Sequence, residues 1–334
     1  MFCVLSELGQ LDQLYYEKIK SAYADSTMAN FRYQAMEYVN FCLNHGCQIF
    51  PPVPMNIARY ITSCTLKVAA YGTIQNKLSA IRKLYHLCGH NVDTSDPIID
   101  LLLRACKRDM SSVSKPKAPI EPGHIILISQ MMDQSDIHHT LFYTALLIQF
   151  FGCLRKSNLL PPSVKGFSVV KQLTRGDIHI VQDGIIISLP WTKTLQNSDD
   201  VMTIAIAQVP NSIIDPVSQY KNFILRFLLP PRMPAFSLSA GDKLYVFTQN
   251  NYIDYLKHFL ERLGLPSSAY GSHSVRRGGT TALFQSGVSQ KLIKAHGGWR
   301  SDCYERYISV GQSDKLVPTT KMLNFINSKY GNYK

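Results

Sequence analysis

The sequence predicts a mainly α protein with a small antiparallel β-sheet, in two domains: a helical one over 1–110 and an α+β one over 123–334, joined by a linker over 111–122. Three observations predict this. Apolar residues recur at helical spacing through the first hundred positions. A stretch without periodicity, Ser111-Ser112-Val113-Ser114-Lys115-Pro116-Lys117-Ala118-Pro119, then interrupts the pattern. Beyond it, three β-branched runs stand among helical segments, and 334 residues give each part enough chain to bury a core of its own.

Ser26-Thr27 is expected to cap the first helix, along which Phe31, Met36, Tyr38, Val39, Phe41 and Cys42 recur until Gly46 and the Pro51-Pro52-Val53-Pro54 break. Ile57, Tyr60, Ile61 and Cys64 mark the next helix, Ile74, Leu78, Ile81, Leu84 and Tyr85 another, and Ile98 to Leu103 a shorter one, together a bundle of four or five. After the linker, 125–151 reads as two packed helices. Strands are expected at 177–181, 185–189 and 201–205, with Asp183-Gly184 as the hairpin signal. Helical segments follow near 216–229, 252–263, 275–285, 290–294 and 303–309, and the tail 321–326 fits one more.

Composition narrows the class. Apolar residues make up 46% and charged residues 17%, a globular balance, and the apolar stretch Leu141–Leu154 is too short to span a bilayer. The opening Met1–Leu5 has no basic flank, so an intracellular protein is expected. Eight cysteines (3, 42, 47, 64, 88, 106, 153, 303) form no CxxC pair, which argues against a zinc site or a disulfide scaffold. The net charge is +12, of which residues 111–334 hold +10. A polyanion, and nucleic acid before membrane, is the expected partner.

The chemistry concentrates in His273-Ser274-Val275-Arg276-Arg277-Gly278-Gly279-Thr280-Thr281. Three residues apart at a helix start, His273 and Arg276 share a face where the helix terminus also attracts anions. Alone, such a pair equally fits a solvated face. Two further stretches accompany it: Gly152-Cys153-Leu154-Arg155-Lys156-Ser157-Asn158, where an apolar helix breaks at an arginine, and Asp302-Cys303-Tyr304-Glu305-Arg306-Tyr307-Ile308.

These stretches resemble the tyrosine recombinases of the phage integrase type. Arg155 falls at the family's first arginine, His273 and Arg276 at its His-x-x-Arg pair and Tyr307 at its nucleophile, with His273 118 positions after Arg155 and Tyr307 31 after Arg276. Lys193, in Pro190-Trp191-Thr192-Lys193-Thr194, matches the family's hairpin lysine; Lys171, upstream of the hairpin, is the weaker competitor. Residues 24–108 resemble the family's helical core-binding (SAM-like) domain, and within the family the chain looks nearest to integrases of eukaryotic mobile elements such as Crypton and DIRS-like transposons, which implies a nuclear protein. One departure matters: the accessory His or Trp, about nine residues before the nucleophile, is Gly298 here. Trp299 is the first substitute for it and His296 the second. Tyr304, one helical turn from Tyr307, is the rival nucleophile.

The resemblance implies site-specific cutting and rejoining of DNA through a 3′-phosphotyrosine bond, without metal, ATP or other cofactor. Two guanidinium forks can clamp a phosphate and favour phenolate, and imidazole can take the tyrosine proton. Double-stranded DNA is the implied partner, gripped through phosphates by Lys115, Lys117, Arg277 and, from the first domain, Arg82, Lys83, Arg104, Lys107 and Arg108, residues equally at home on a solvated surface. Leu323, Phe325 and Ile326 in the tail suit the family's exchange between protomers, hence a tetramer on DNA. Two other functions fit the same residues, a transposon-derived DNA-binding protein that no longer cuts and a type IB topoisomerase. His138-His139 reads as helix surface, and Phe142, Tyr143, Phe150 and Phe151 as core.

Overall fold

The computed structural model describes residues 9–330 apart from 12, 16, 20–21, 24, 68–69, 94–95, 111–116, 134 and 190–200. The chain is mostly helical, 59%, with a small antiparallel sheet, and divides into two compact units, Met1–Lys115 and Pro116–Lys334.

In the first unit, α1 (Asp25–Asn44), α2 (Pro54–Thr65), α3 (Tyr71–Leu87) and α4 (Pro97–Asp109) carry the apolar spacing read from the sequence. The helix expected after Ser26-Thr27 already begins at Asp25, so these two residues lie in its first turn rather than ahead of it. Prolines open α2 and α4, where the missing N–H has no helical partner to lose. Tyr38, Ile57, Ile61, Ile74, Leu78, Ile81, Tyr85 and Ile99 form the core. Of the three buried phenols, those of Tyr38 and Tyr85 are satisfied by each other, at 2.9 Å, and by Tyr85 donating to the carbonyl of Ile49 at 2.7 Å.

The second unit opens with α5 (Pro122–Gln130) and α6 (Ile137–Phe151), the latter capped by Asp136, whose carboxylate accepts from the N–H groups of His138 and His139. Helix α6 is apolar nearly all round and buried accordingly. Phe142 stacks on Phe259, with ring centroids 5.3 Å apart. His138 and His139 pack against Tyr255 instead of lying on a solvated surface. The short α7 (Lys156–Leu159) follows the break after α6.

Strands β1 (Ile178–Val181), β2 (Gly184–Leu189) and β3 (Met202–Ala207) pair antiparallel in that order, with Ile187 opposite both Ile178 and Ile204. The buried residues Ile178, Ile185, Ile187, Leu189, Ile204 and Ile206 face the core. Val181 pairs with Gly184, so the turn is Gln182-Asp183 and Gly184 belongs to the strand. Glycine is needed there for close approach: a Cβ would come within 2.2 Å of the Ile206 carbonyl oxygen.

After α8 (Pro216–Arg226) comes a hairpin that the sequence pattern does not reveal, β4 (Ser237–Ala240) with β5 (Lys243–Val246). Its strands are short and β4 has no β-branched residue. Helices α9 (Gln249–Arg262), α10 (Ser274–Gln285), α11 (Gln290–His296) and α12 (Gln312–Tyr330) complete the unit, the last extending well beyond the expected 321–326. Residues 117–121, read from the sequence as the end of the linker, run alongside the approach to α10: Ala118 N donates to Ala269 O at 2.8 Å and Ile120 N to Ser274 O at 2.9 Å.

Two adjacent glycines let α10 nest into this surround. A Cβ at Gly278 would fall 1.8 Å from the Ile120 carbonyl oxygen, and one at Gly279 would fall 2.1 Å from that of Phe150, both backbone atoms that cannot swing aside. Gly279→Ala is therefore expected to destabilise the protein by about 1–3 kcal/mol, the usual cost of overpacking, read from the midpoint of urea unfolding. Cys153, at the end of α6, is fully buried, and burial pushes its thiol up to about 11. Iodoacetamide at pH 8 is expected to label exposed Cys88 and Cys303 and to spare Cys153 until the chain unfolds.

Candidate functional site

Arg276 is the centre of the site. It projects from the first turn of α10 and is 2% exposed, a burial that a cation tolerates only with partners on its N–H groups. Backbone carbonyls supply two of them: one terminal nitrogen donates to Cys153 O and the other to Gly297 O at 2.9 Å. Its plane lies over the Trp299 ring at 4.1 Å and the Tyr307 ring at 5.3 Å. Burial, and then the neighbouring charge of Arg155, lower its pKa to about 10, so it remains a cation at neutral pH. Its guanidinium has five donors, so the fork retains N–H groups beyond the two that hold it.

The partners arrive from separate stretches of chain. Arg155 starts α7 in extended conformation, directly after the turn in which Cys153 adopts φ +47°, a conformation uncommon for a residue with a side chain. That turn presents the Cys153 carbonyl to Arg276 and brings Arg155, half-buried, within electrostatic reach of it. His273 stands exposed as the residue before α10, its Nδ1 3.2 Å from Ser272 Oγ and its ring 6.1 Å from that of Tyr307.

Tyr307 closes a short 3-10 helix, Asp302–Tyr307. Its half-buried ring lies 5.6 Å from Trp299, so the phenol shares one pocket with Arg276, His273 and the indole. Tyr304 points elsewhere. It is 2% exposed, packed with Cys153, Ile293 and Trp299, and its phenol is pushed up by burial and by the carboxylates of Glu305 and Asp302. The two tyrosines that periodicity could not separate are thus separated by burial.

The departure at Gly298 has a physical cause. Its φ of +65° is left-handed, and a Cβ there would meet Met202 Sδ at 2.3 Å. A Cβ at Gly297 would strike the Trp299 ring. The glycine pair thereby admits Met202 from β3 on one side and lets the indole fold beneath Arg276 on the other. Trp299 is 5% exposed; its ring packs against Arg276 and Tyr307, and its Nε1 is buried with no hydrogen-bond partner among the described residues. His296 is engaged elsewhere, with Nε2 2.7 Å from the Phe151 carbonyl oxygen.

The remaining sequence-predicted residues fall into three groups. Lys193 and Lys115 lie outside the described residues, though β2 and β3, which flank 190–200, are paired at Leu189 and Met202, and Met202 touches the site at Gly298. Lys117 donates to the Ser268 carbonyl, Arg277 is half-buried beside Arg276, and Lys171 is exposed. In the first unit, Arg82, Lys107 and Arg108 are exposed, Arg104 pairs with Asp100, and Lys83 lies 3.6 Å over the Tyr23 ring. Sequence reasoning missed Cys153, Gly297 and Met202, which act through a carbonyl, an absent side chain and a packing contact. None of those leaves a motif of its own.

No family model matches the chain. An integrase/recombinase XerD homologue of Selenomonas ruminantium is 22% identical over 315 residues, covering 92% of this chain and 88% of that protein. Among solved structures, the Tn1549 transposon integrase in complex with transposon right end DNA superposes with a TM-score of 0.58 at 16% identity, covering 93% of this chain and 98% of its own. The XerH recombinase bound to a palindromic difH substrate in a post-cleavage complex gives 0.55 at 14%, covering 81% and 72%. The structures show the shared fold. Together, the homologous sequence and that fold support placing the chain in the tyrosine recombinase/integrase family.

Proposed function

We propose that the chain is a site-specific DNA recombinase that cuts and rejoins DNA through a 3′-phosphotyrosine intermediate. The observation that carries this reading is the pocket around Arg276, where Arg155, His273 and Tyr307 meet although the sequence brings them from three distant stretches. The similar Tn1549 transposon integrase is in complex with transposon right end DNA, which supports the substrate class.

In this reading the two guanidiniums hold the nonbridging oxygens of the scissile phosphate, Arg276 from a fixed position and Arg155 from the more open side. The Tyr307 hydroxyl oxygen attacks phosphorus as the bond to the 5′ oxygen breaks. Its proton passes to His273, and the leaving oxygen takes a proton from Lys193. Both arginines neutralise the charge that grows on the pentacoordinate phosphorus. Attack of a 5′ hydroxyl on the phosphotyrosine reverses the steps and restores the phosphodiester without ATP.

The finer assignments belong to the same proposal. Ser26-Thr27 and Thr73–Arg82 carry the likeness to the family's core-binding domain, and within the family we place the chain nearest the integrases of Crypton and DIRS-like elements, with a nuclear location. Leu323, Phe325 and Ile326 stand exposed on α12, and we assign them to contact with a neighbouring protomer in a DNA-bound tetramer.

A nicked duplex that releases its short 5′ fragment should trap the wild-type chain as a covalent adduct visible on a denaturing gel. Tyr307→Phe is expected to give none and Tyr304→Phe to retain it; adduct from Tyr307→Phe would remove the assignment. Arg276→Ala is expected to slow adduct formation about a hundredfold or more, the loss of roughly 3 kcal/mol of oriented charge.

A further inference from the structure

Two threonines follow Arg276 on α10 and use their hydroxyls differently. Thr280 does what a threonine inside a helix ordinarily does, donating back to the carbonyl of Arg276 at 2.8 Å. Thr281 instead reaches across to the chain that carries the tyrosine. Its Oγ1 donates to the carbonyl of Tyr307 at 3.2 Å and accepts from the N–H of Ser309 at 3.0 Å. One hydroxyl, on a residue 8% exposed, thus brackets Ile308 and fixes the backbone immediately after the nucleophile.

The rest of this segment is held by side chains at some remove from the phenol. Tyr304 and Ile308 pack with Cys153 and Ile293, and Lys294 Nζ bridges Asp302 at 2.9 Å. These contacts fix where the segment lies against the protein. The Thr281 bridge fixes where Tyr307 stands along α10, relative to a guanidinium on the same helix. Reaction rates are steep in that coordinate, since misplacement by about 1 Å can cost on the order of a hundredfold.

We infer that Thr281 is a positioning residue, which touches neither DNA nor the reacting atoms and sets the Tyr307 hydroxyl against the phosphate held by Arg276. The inference rests on the proposed reaction. A bond of this kind contributes to the attack on phosphorus and not to DNA binding, so its loss separates the two.

The test measures adduct formation on the nicked duplex against DNA concentration, for the full chain and its variants. Thr281→Val keeps the shape and removes the bridge. It is expected to slow the reaction at saturating DNA by about tenfold or more, with half-saturation unchanged. Thr281→Ser, which keeps the hydroxyl, is expected to react within about threefold of wild type. Thr281→Cys, nearly the same size as serine but a weak hydrogen-bonding group, is expected to be as slow as valine, and this pair decides the matter should Thr281→Val fail to fold. Equal rates for serine and cysteine, a wild-type rate for valine, or a matching loss of DNA affinity would each overturn the inference. A wild-type chain that gives no adduct overturns the reaction and the inference with it.

Discussion

The second unit is organised around a cation that water does not reach. Arg276 is held in a place where an unpaired guanidinium would be prohibitively costly, and among the described residues the groups that hold its two terminal nitrogens are peptide carbonyls rather than carboxylates. That choice has a chemical logic. A carboxylate would neutralise the charge before a phosphate arrived, whereas a carbonyl dipole orients the fork and leaves its full positive charge in place. Stacking on the Trp299 and Tyr307 rings adds attraction without cancelling charge. The price is rigidity, because the carbonyls of residues 153 and 297 must both be aimed at one point.

Helix packing meets that requirement. The backbone contacts at Gly278 and Gly279 set α10 against the ends of the linker and of α6 at a separation that any side chain would increase. From there the turn at Cys153 delivers a carbonyl and, two residues later, the second arginine. The pair of arginines is therefore a consequence of how closely one helix nests against another. The same nesting explains the fully buried thiol beside the site, a packing group enclosed by the turn it belongs to.

Much of this was legible in the sequence, and the divide between legible and hidden is physical. Apolar periodicity located the helices of both units, and β-branched runs located the three-stranded sheet, because those signals come from burial on one face. The His273/Arg276 spacing alone equally fits a solvated face; it pointed at the site through the resemblance it shares with Arg155 and Tyr307 to the tyrosine recombinases. Periodicity could not choose between Tyr304 and Tyr307, since both fit one helical face; the family resemblance favours Tyr307, and the burial of Tyr304 agrees with it. The β4–β5 hairpin escaped because Ser237-Leu238-Ser239-Ala240 carries no strand preference of its own and pairs through tertiary context. Trp299 is proposed from the sequence for its donor, and the structure adds a packing role for its ring, which local spacing could not reveal. Lys117, expected among the lysines that grip DNA, has a carbonyl partner 151 positions away, which no local pattern could reveal.

Gly297 and Gly298 give up their side chains so that an indole can fill one side of the turn and a methionine from β3 the other. Space that a single residue could have filled locally is filled instead by atoms brought from a strand nearly a hundred positions upstream. The pocket is accordingly an all-or-none object: it cannot assemble in a fragment holding only the last helices, and it should appear during folding only as the sheet docks. In this way the pocket would acquire its geometry last, with the completed domain.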